Sequence, residues 1–180
     1  EAKGGSIGSV AGATDVTTNG TNVGTINMSG KLEATGGVIA SVTGATGADL
    51  TDATITGALN ATSGTIDANG GSIGSITGTA DTVDLTGTEA GSIALSENGT
   101  LNVSGGSTGA VQNAVANATL NTTTIGSGLT VGGLTAVEGD VTVKGDVTWY
   151  KVNYNLQEGY MHSSYLNVLT RENAEPEEPA

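Results

Sequence analysis

From residue 4 to residue 137, aliphatic side chains recur in runs of three to five residues, and glycine ends almost every run. Ile7-Gly8-Ser9-Val10, Val23-Gly24-Thr25-Ile26 and Lys31-Leu32-Glu33-Ala34 each place an aliphatic side chain at every second or third position. Alternation is strict in Thr100-Leu101-Asn102-Val103 and in Leu129-Thr130-Val131, which is the period of a strand with one buried face. The pairs Asn19-Gly20, Asn69-Gly70 and Asn98-Gly99 supply turns, because both residue types tolerate positive φ. Residues 110–120 form the one segment whose spacing permits a helix, with Val111 and Val115 four apart.

Whole phrases repeat as well as single residues. GGSIGSV at residues 4–10 returns as GGVIASV at 36–42, GGSIGSI at 70–76 and GGSTGAV at 105–111, with starts 32, 34 and 35 residues apart. A shortened echo, GGLTAV, begins at Gly132. A second phrase always runs into the next glycine pair: INMSGKLEATGG from Ile26, LNATSGTIDANGG from Leu59, IALSENGTLNVSGG from Ile93 and IGSGLTVGG from Ile125. A fixed period in this range marks stacked supersecondary units. The expected fold class is therefore all-β: a repeat-built parallel β-solenoid over residues 1–137, whose coils close their hydrogen bonds on the coil before. At about 4.8 Å per coil, four coils make a stack of roughly 20 Å and eight half-length coils roughly 40 Å; the sequence leaves both open.

Composition sharpens this picture. The chain has no cysteine, so neither a disulfide framework nor a thiolate metal site is available. Both prolines, Pro176 and Pro179, lie in the tail. Against a net charge of −13 there are five basic residues: Lys3, Lys31, Lys144, Lys151 and Arg171. Nucleic acid and membrane insertion are excluded as expectations, since the first needs basic clusters and the second a long apolar run. Polysaccharide lyases built on β-helices need acids clustered with Arg or Lys. Lys31 is the sole basic residue between Gly4 and Val143, so the chain is expected not to be an enzyme.

The phrases GTINMSGKLEATGGVIAS and GTIDANGGSIGSITG resemble the repeats of haemagglutinin-type and autotransporter-type adhesins. That resemblance implies an extracellular, cell-surface, non-enzymatic stalk or adhesive body. Composition then changes abruptly. All five aromatic residues, Trp149, Tyr150, Tyr154, Tyr160 and Tyr165, and the sole histidine, His162, fall between positions 149 and 165. In this stretch Trp149-Tyr150-Lys151-Val152, Gly159-Tyr160-Met161 and Ser163-Ser164-Tyr165-Leu166 resemble the C-terminal half of a bacterial SH3-like (SH3b) domain. Residues 138–169 are accordingly read as an SH3b-like β unit. The resemblance implies attachment to peptidoglycan or another cell-surface polymer. The family's L-N-V-R-x-G-P phrase has its nearest counterpart in Leu101-Asn102-Val103-Ser104-Gly105-Gly106, which lacks the arginine and the proline. The unit is thus expected to be either incomplete or split by an insertion. Residues 170–180, with four acids and both prolines, read as an acidic disordered tail.

The candidate ligand-binding residues are Trp149, Tyr150, Tyr154, Tyr160, His162 and Tyr165. Most of these aromatics are expected to fill a small core, leaving a minority for a sugar or a peptide. His162 beside Ser163 has no nucleophile elbow around it, so no catalytic residue is assigned. Asp15, Asp49, Asp52, Asp67, Asp81 and Asp84 lie near glycine-rich turns and read as solvated turn acids. No copy of the calcium nonapeptide G-G-x-G-x-D is present, and neither metal nor cofactor is expected. A threonine ice-binding face needs T-x-T at one register in every coil, and Thr51, Thr54 and Thr56 have no counterparts. Three functions follow as expectations. The first is a cell-surface stalk or adhesin that binds a wall polymer. The second is a self-assembling filament subunit whose partner is another copy, and the third is the wall-targeting module of a larger hydrolase.

Overall fold

Short alternating runs separated by left-handed corners can wind into coils, and here they do. The computed structural model describes residues 1–113, 115–143, 149–154 and 157–162. They belong to two units, Glu1–Lys144 and Gly145–Ala180.

The first unit is a parallel β-solenoid of two nine-stranded sheets. Odd-numbered strands form one sheet: β1 Ala2–Lys3, β3 Val16–Asn19, β5 Lys31–Thr35, β7 Gly47–Thr51, β9 Thr65–Asn69, β11 Thr82–Thr86, β13 Thr100–Ser104, β15 Val115–Asn121 and β17 Val131–Glu138. Even-numbered strands form the other: β2 Ser6–Ala13, β4 Asn22–Met28, β6 Val38–Ala45, β8 Thr54–Ala61, β10 Ser72–Gly78, β12 Glu89–Ile93, β14 Ser107–Ala110, β16 Thr124–Ser127 and β18 Thr142–Val143. Each coil contributes one strand to each sheet. Leu32 pairs with Ala48, 16 residues on, and Ala48 with Ile66, 18 residues on. Eight rung spacings at about 4.8 Å give a stack of roughly 38 Å.

The phrase period of 32 to 35 residues is therefore two coils, and the corner between odd and even strands shows why. Its first residue has positive φ in every coil: Gly4, Gly20, Gly36, Asp52, Gly70, Gly87, Gly105, Thr122 and Gly139. The corner amides carry the ladder around the bend, as when Gly36 N–H donates to Thr51 O at 2.8 Å and Gly70 N–H to Thr86 O at 2.8 Å. The second corner residue alternates between glycine (Gly37, Gly71, Gly106) and a residue with a Cβ (Thr21, Ala53, Thr88, Thr123). A Cβ on Gly37 would overlap the Thr21 carbonyl, and one on Gly106 the Thr88 carbonyl. Two corner types thus alternate, and the sequence repeats only every second coil. The Thr88 hydroxyl is buried in its corner and reaches the carbonyl oxygen of Ala68 at 3.0 Å.

Both sheets turn aliphatic side chains inward onto a single core. One odd-sheet column runs Val16, Leu32, Ala48, Ile66, Val83, Leu101 and Ala118; its neighbour runs Thr18, Ala34, Leu50, Ala68, Leu85, Val103 and Leu120. Large beside small in one coil (Leu32 with Ala34) faces small beside large in the next (Ala48 with Leu50), so the layers interdigitate. The even sheet adds Val23, Ile39, Ile55 and Ile73 in one column and Ile26, Val42, Leu59, Ile76 and Ile93 in another. Thr18 is the exception. Its hydroxyl is buried without a hydrogen-bond partner.

No helix occurs among the described residues. Within the stretch whose spacing permitted one, residues 115–120 belong to strand β15 (Val115–Asn121). Val115, Ala118 and Leu120 are buried, and Leu120 pairs with Val103; tertiary register overrides the four-residue spacing.

In the second unit, β19 (Trp149–Tyr154) and β20 (Gln157–His162) pair antiparallel, with Trp149 opposite His162 and Tyr154 opposite Gln157.

Candidate functional site: the outer face of the odd sheet

Strands β5, β7, β9, β11 and β13 each read as a five-residue phrase whose second and fourth residues are buried and whose third and fifth point out, as does the first except at Gly47: Lys-Leu-Glu-Ala-Thr, Gly-Ala-Asp-Leu-Thr, Thr-Ile-Asp-Ala-Asn, Thr-Val-Asp-Leu-Thr and Thr-Leu-Asn-Val-Ser. Parallel pairing in register stacks the third residues into one outward column: Thr17, Glu33, Asp49, Asp67, Asp84, Asn102 and Thr119. Four consecutive rungs of it are carboxylates. Beside it, toward the corner, runs a column of hydroxyls and carboxamides: Asn19, Thr35, Thr51, Asn69, Thr86, Ser104 and Asn121, followed by Glu138.

Like charges one rung apart repel by ~0.9 kcal/mol in bulk water, and the chain relieves this at two points. Lys31, in the first outward position of β5, forms an ion pair with Asp49. That hydrogen bond holds the ammonium above the ordinary lysine value; the slight desolvation there opposes it, and the charges of Asp49, Glu33 and Asp67 add to it. At the other end of the acidic run, Asn102 Nδ2 donates to Asp84 Oδ1 at 2.6 Å. Between the two outward columns lies a shallow groove of about 450 Å³ bordered by Asp84, Thr86, Asn102, Ser104, Asn121 and Glu138. Its walls offer carboxylate and hydroxyl oxygens as acceptors, with hydroxyl and carboxamide groups as donors.

The acids near glycine-rich turns separate into three roles. Asp49, Asp67 and Asp84 are strand residues of the ladder. Asp15 and Asp81 bind backbone of the neighbouring coil, accepting from Lys31 N–H and Gly64 N–H, each at 2.8 Å. Asp52 occupies a left-handed corner at φ 50°. Among the described residues no three His, Cys, Asp or Glu side chains are placed to hold a metal ion; a straight ladder sets carboxylates side by side and not around a point.

Of the aromatic candidates, Trp149, Tyr150 and Tyr154 lie on β19, and Tyr160 and His162 on β20. Tyr165 lies outside the described residues. Sequence reasoning missed Glu33, Thr86, Asn102, Ser104, Asn121 and Glu138 as members of one surface. The signal that finds them is the five-residue phrase itself, aligned at 16 to 18 residues instead of at the glycine pairs. No protein-family model, curated protein or solved structure matches this chain.

Proposed function

We propose that this protein is a non-enzymatic structural and adhesive component of the cell surface, and that its solenoid meets a repeating polymer along the outer face of the odd sheet. The observation that carries this reading is the register: a column with four consecutive carboxylates stands beside a column of hydroxyls and carboxamides, and each rung from β3 to β15 adds one polar side chain to both. Such a surface suits a ligand that itself repeats, lying along the stack and bonding through many weak contacts. Donors and acceptors without aromatic platforms suit a ligand rich in hydroxyl and amide groups, such as peptidoglycan or another cell-surface glycan. A polyanion is disfavoured by Glu33, Asp49, Asp67 and Asp84. Residues 149–169, which carry the resemblance to the C-terminal half of an SH3b domain, supply a second point of attachment, with the aromatic residues 149–165 as its contact region; residues 138–143 belong to the solenoid.

The direct test is co-sedimentation of the purified chain with insoluble peptidoglycan and with other insoluble cell-surface glycans. Saturable binding, competed by soluble fragments of the same polymer, supports the proposal. No binding to any of these polymers would overturn it.

A further inference from the structure

The outer face of the even sheet differs from the rest of the solenoid surface in one respect. Among all residues of its nine strands, only Glu89 is charged, in a chain of net charge −13. Carboxylates occur on the odd face, at the corners (Asp52) and at the opposite turns (Asp15, Asp81, Glu97). The even face instead shows hydroxyls and bare backbone. Ser9, Thr25 and Ser41 stack in register, as do Ser75 and Ser92. Near its first rungs is a groove of about 490 Å³, floored by Gly8, Gly24 and Ala40 and walled by Val38. Val38 is 42 % exposed and is the only exposed large hydrophobic among the described side chains of the solenoid.

We infer that this face is the contact surface of a homodimer in which two copies pack back to back through their even sheets. Charge selects the occupant. Two copies of this chain repel wherever carboxylates meet, and the even face is where they approach with least repulsion. Size agrees: even strands averaging about six residues across eight rung spacings give a footprint on the order of 750 Å², close to the roughly 800 Å² that each partner contributes to a stable interface of standard size. Shape agrees as well. A two-fold contact needs a knob and a hole on the same patch, and Val38 stands at the edge of the glycine-floored groove. Small side chains let the two sheets approach closely. The dimer is closed, so it differs from coil-end stacking, which grows without limit. It leaves both odd faces outward, which doubles the surface available to a polymer and raises avidity. The inference rests on the charge map and stands whether or not the polymer-binding proposal does.

Sedimentation equilibrium on the full chain over a broad concentration series tests it. The expected result is a monomer–dimer equilibrium that shifts toward dimer as salt screens the net charge. A40E/T56E, which adds two carboxylates to the even face, should weaken dimerisation at least about tenfold, roughly the cost of setting like charges opposite each other across the contact. T35E/T51E adds the same charge to the odd face and should leave the dimer within about threefold of the parent, as expected of screened charges distant from the contact. Because the chain has no cysteine, Ala40→Cys gives a readout that does not depend on a weakened variant. A short bis-maleimide should link Ala40→Cys copies into dimers and leave Thr51→Cys copies unlinked. A monomer at every concentration and salt, equal loss in both charge variants, or mass that grows without limit would each overturn the inference.

Discussion

The two sheets belong to the same coils and enclose the same core, yet their outer faces are built on different rules. Strands β5 to β13 alternate strictly, and their third and fifth positions all carry polar side chains, so register turns position into chemistry: a run of four acids beside a column of hydroxyls and carboxamides. Even strands follow Ile-Gly-Ser-Ile, with two outward residues between inward ones and register shifts along several pairs. At that bend the backbones of successive coils come close. A Cβ on Gly91 would overlap the Gly74 carbonyl. One face is therefore free to vary its side chains, while the other is held to glycine and small residues by packing. The proposed adhesive surface lies on the first kind of face and the inferred close-packed contact on the second.

The largest expected effect breaks this comparison directly. Gly91→Val should destabilise the solenoid by about 3 kcal/mol or be too unstable to purify, because overpacking against backbone has no soft partner to yield. Thr119→Val, on the outward column of the odd sheet, should stay within about 0.5 kcal/mol. Urea denaturation of the two variants measures the difference. Next in size is Thr18→Val. It removes a buried hydroxyl that has no partner and keeps the side-chain shape, so the midpoint of urea unfolding should rise by the equivalent of about 1–2 kcal/mol.

Smaller effects sharpen the electrostatic half. Asp67→Asn removes the carboxylate between Asp49 and Asp84 and should stabilise by a few tenths of a kcal/mol, as expected for relief of like charges on paired strands. The gain should shrink as salt is added. The smallest effect belongs to Lys31. Its folded-state pKa is raised by the hydrogen bond to Asp49. Its contribution to stability is thus fully present below the ordinary lysine range and is lost as pH rises through the folded value. A slight alkaline fall in thermal midpoint is expected, and it should be absent in Lys31→Gln.

Much of the fold was legible in the sequence. The phrases beginning at Gly4, Gly36, Gly70 and Gly105 are the glycine corners of alternate coils, and parallel stacking follows from their recurrence. What they hid was the intervening coil, because Thr21, Ala53, Thr88 and Thr123 take the corner wherever the neighbouring coil supplies glycine. The ladder was hidden by the same uneven spacing. Glu33, Asp49, Asp67 and Asp84 are one column, but the steps between them vary with turn length, and a carboxylate beside a glycine reads as a turn acid until register is known. Residues 110–120 show the converse: a four-residue spacing of valines suited a helix, while strand β15 is fixed by the columns of Leu101 and Val103 beneath it. The even face was not legible at all, since lack of charge becomes visible only once the strands are assigned to their sheets.

The central claim is that the outer face of the odd sheet is where this protein meets its polymer. It is tested most directly by equilibrium binding of three proteins to the same insoluble peptidoglycan: the parent chain, a D84A/N102A/N121A variant of the odd face, and the A40E/T56E variant of the even face. The account predicts at least about tenfold weaker binding for the odd-face variant, from several lost hydrogen bonds of about 0.5–1.5 kcal/mol each, and a smaller loss, attributable to avidity, for the even-face variant. Equal binding by the parent and the odd-face variant, with both folded by circular dichroism, would contradict it.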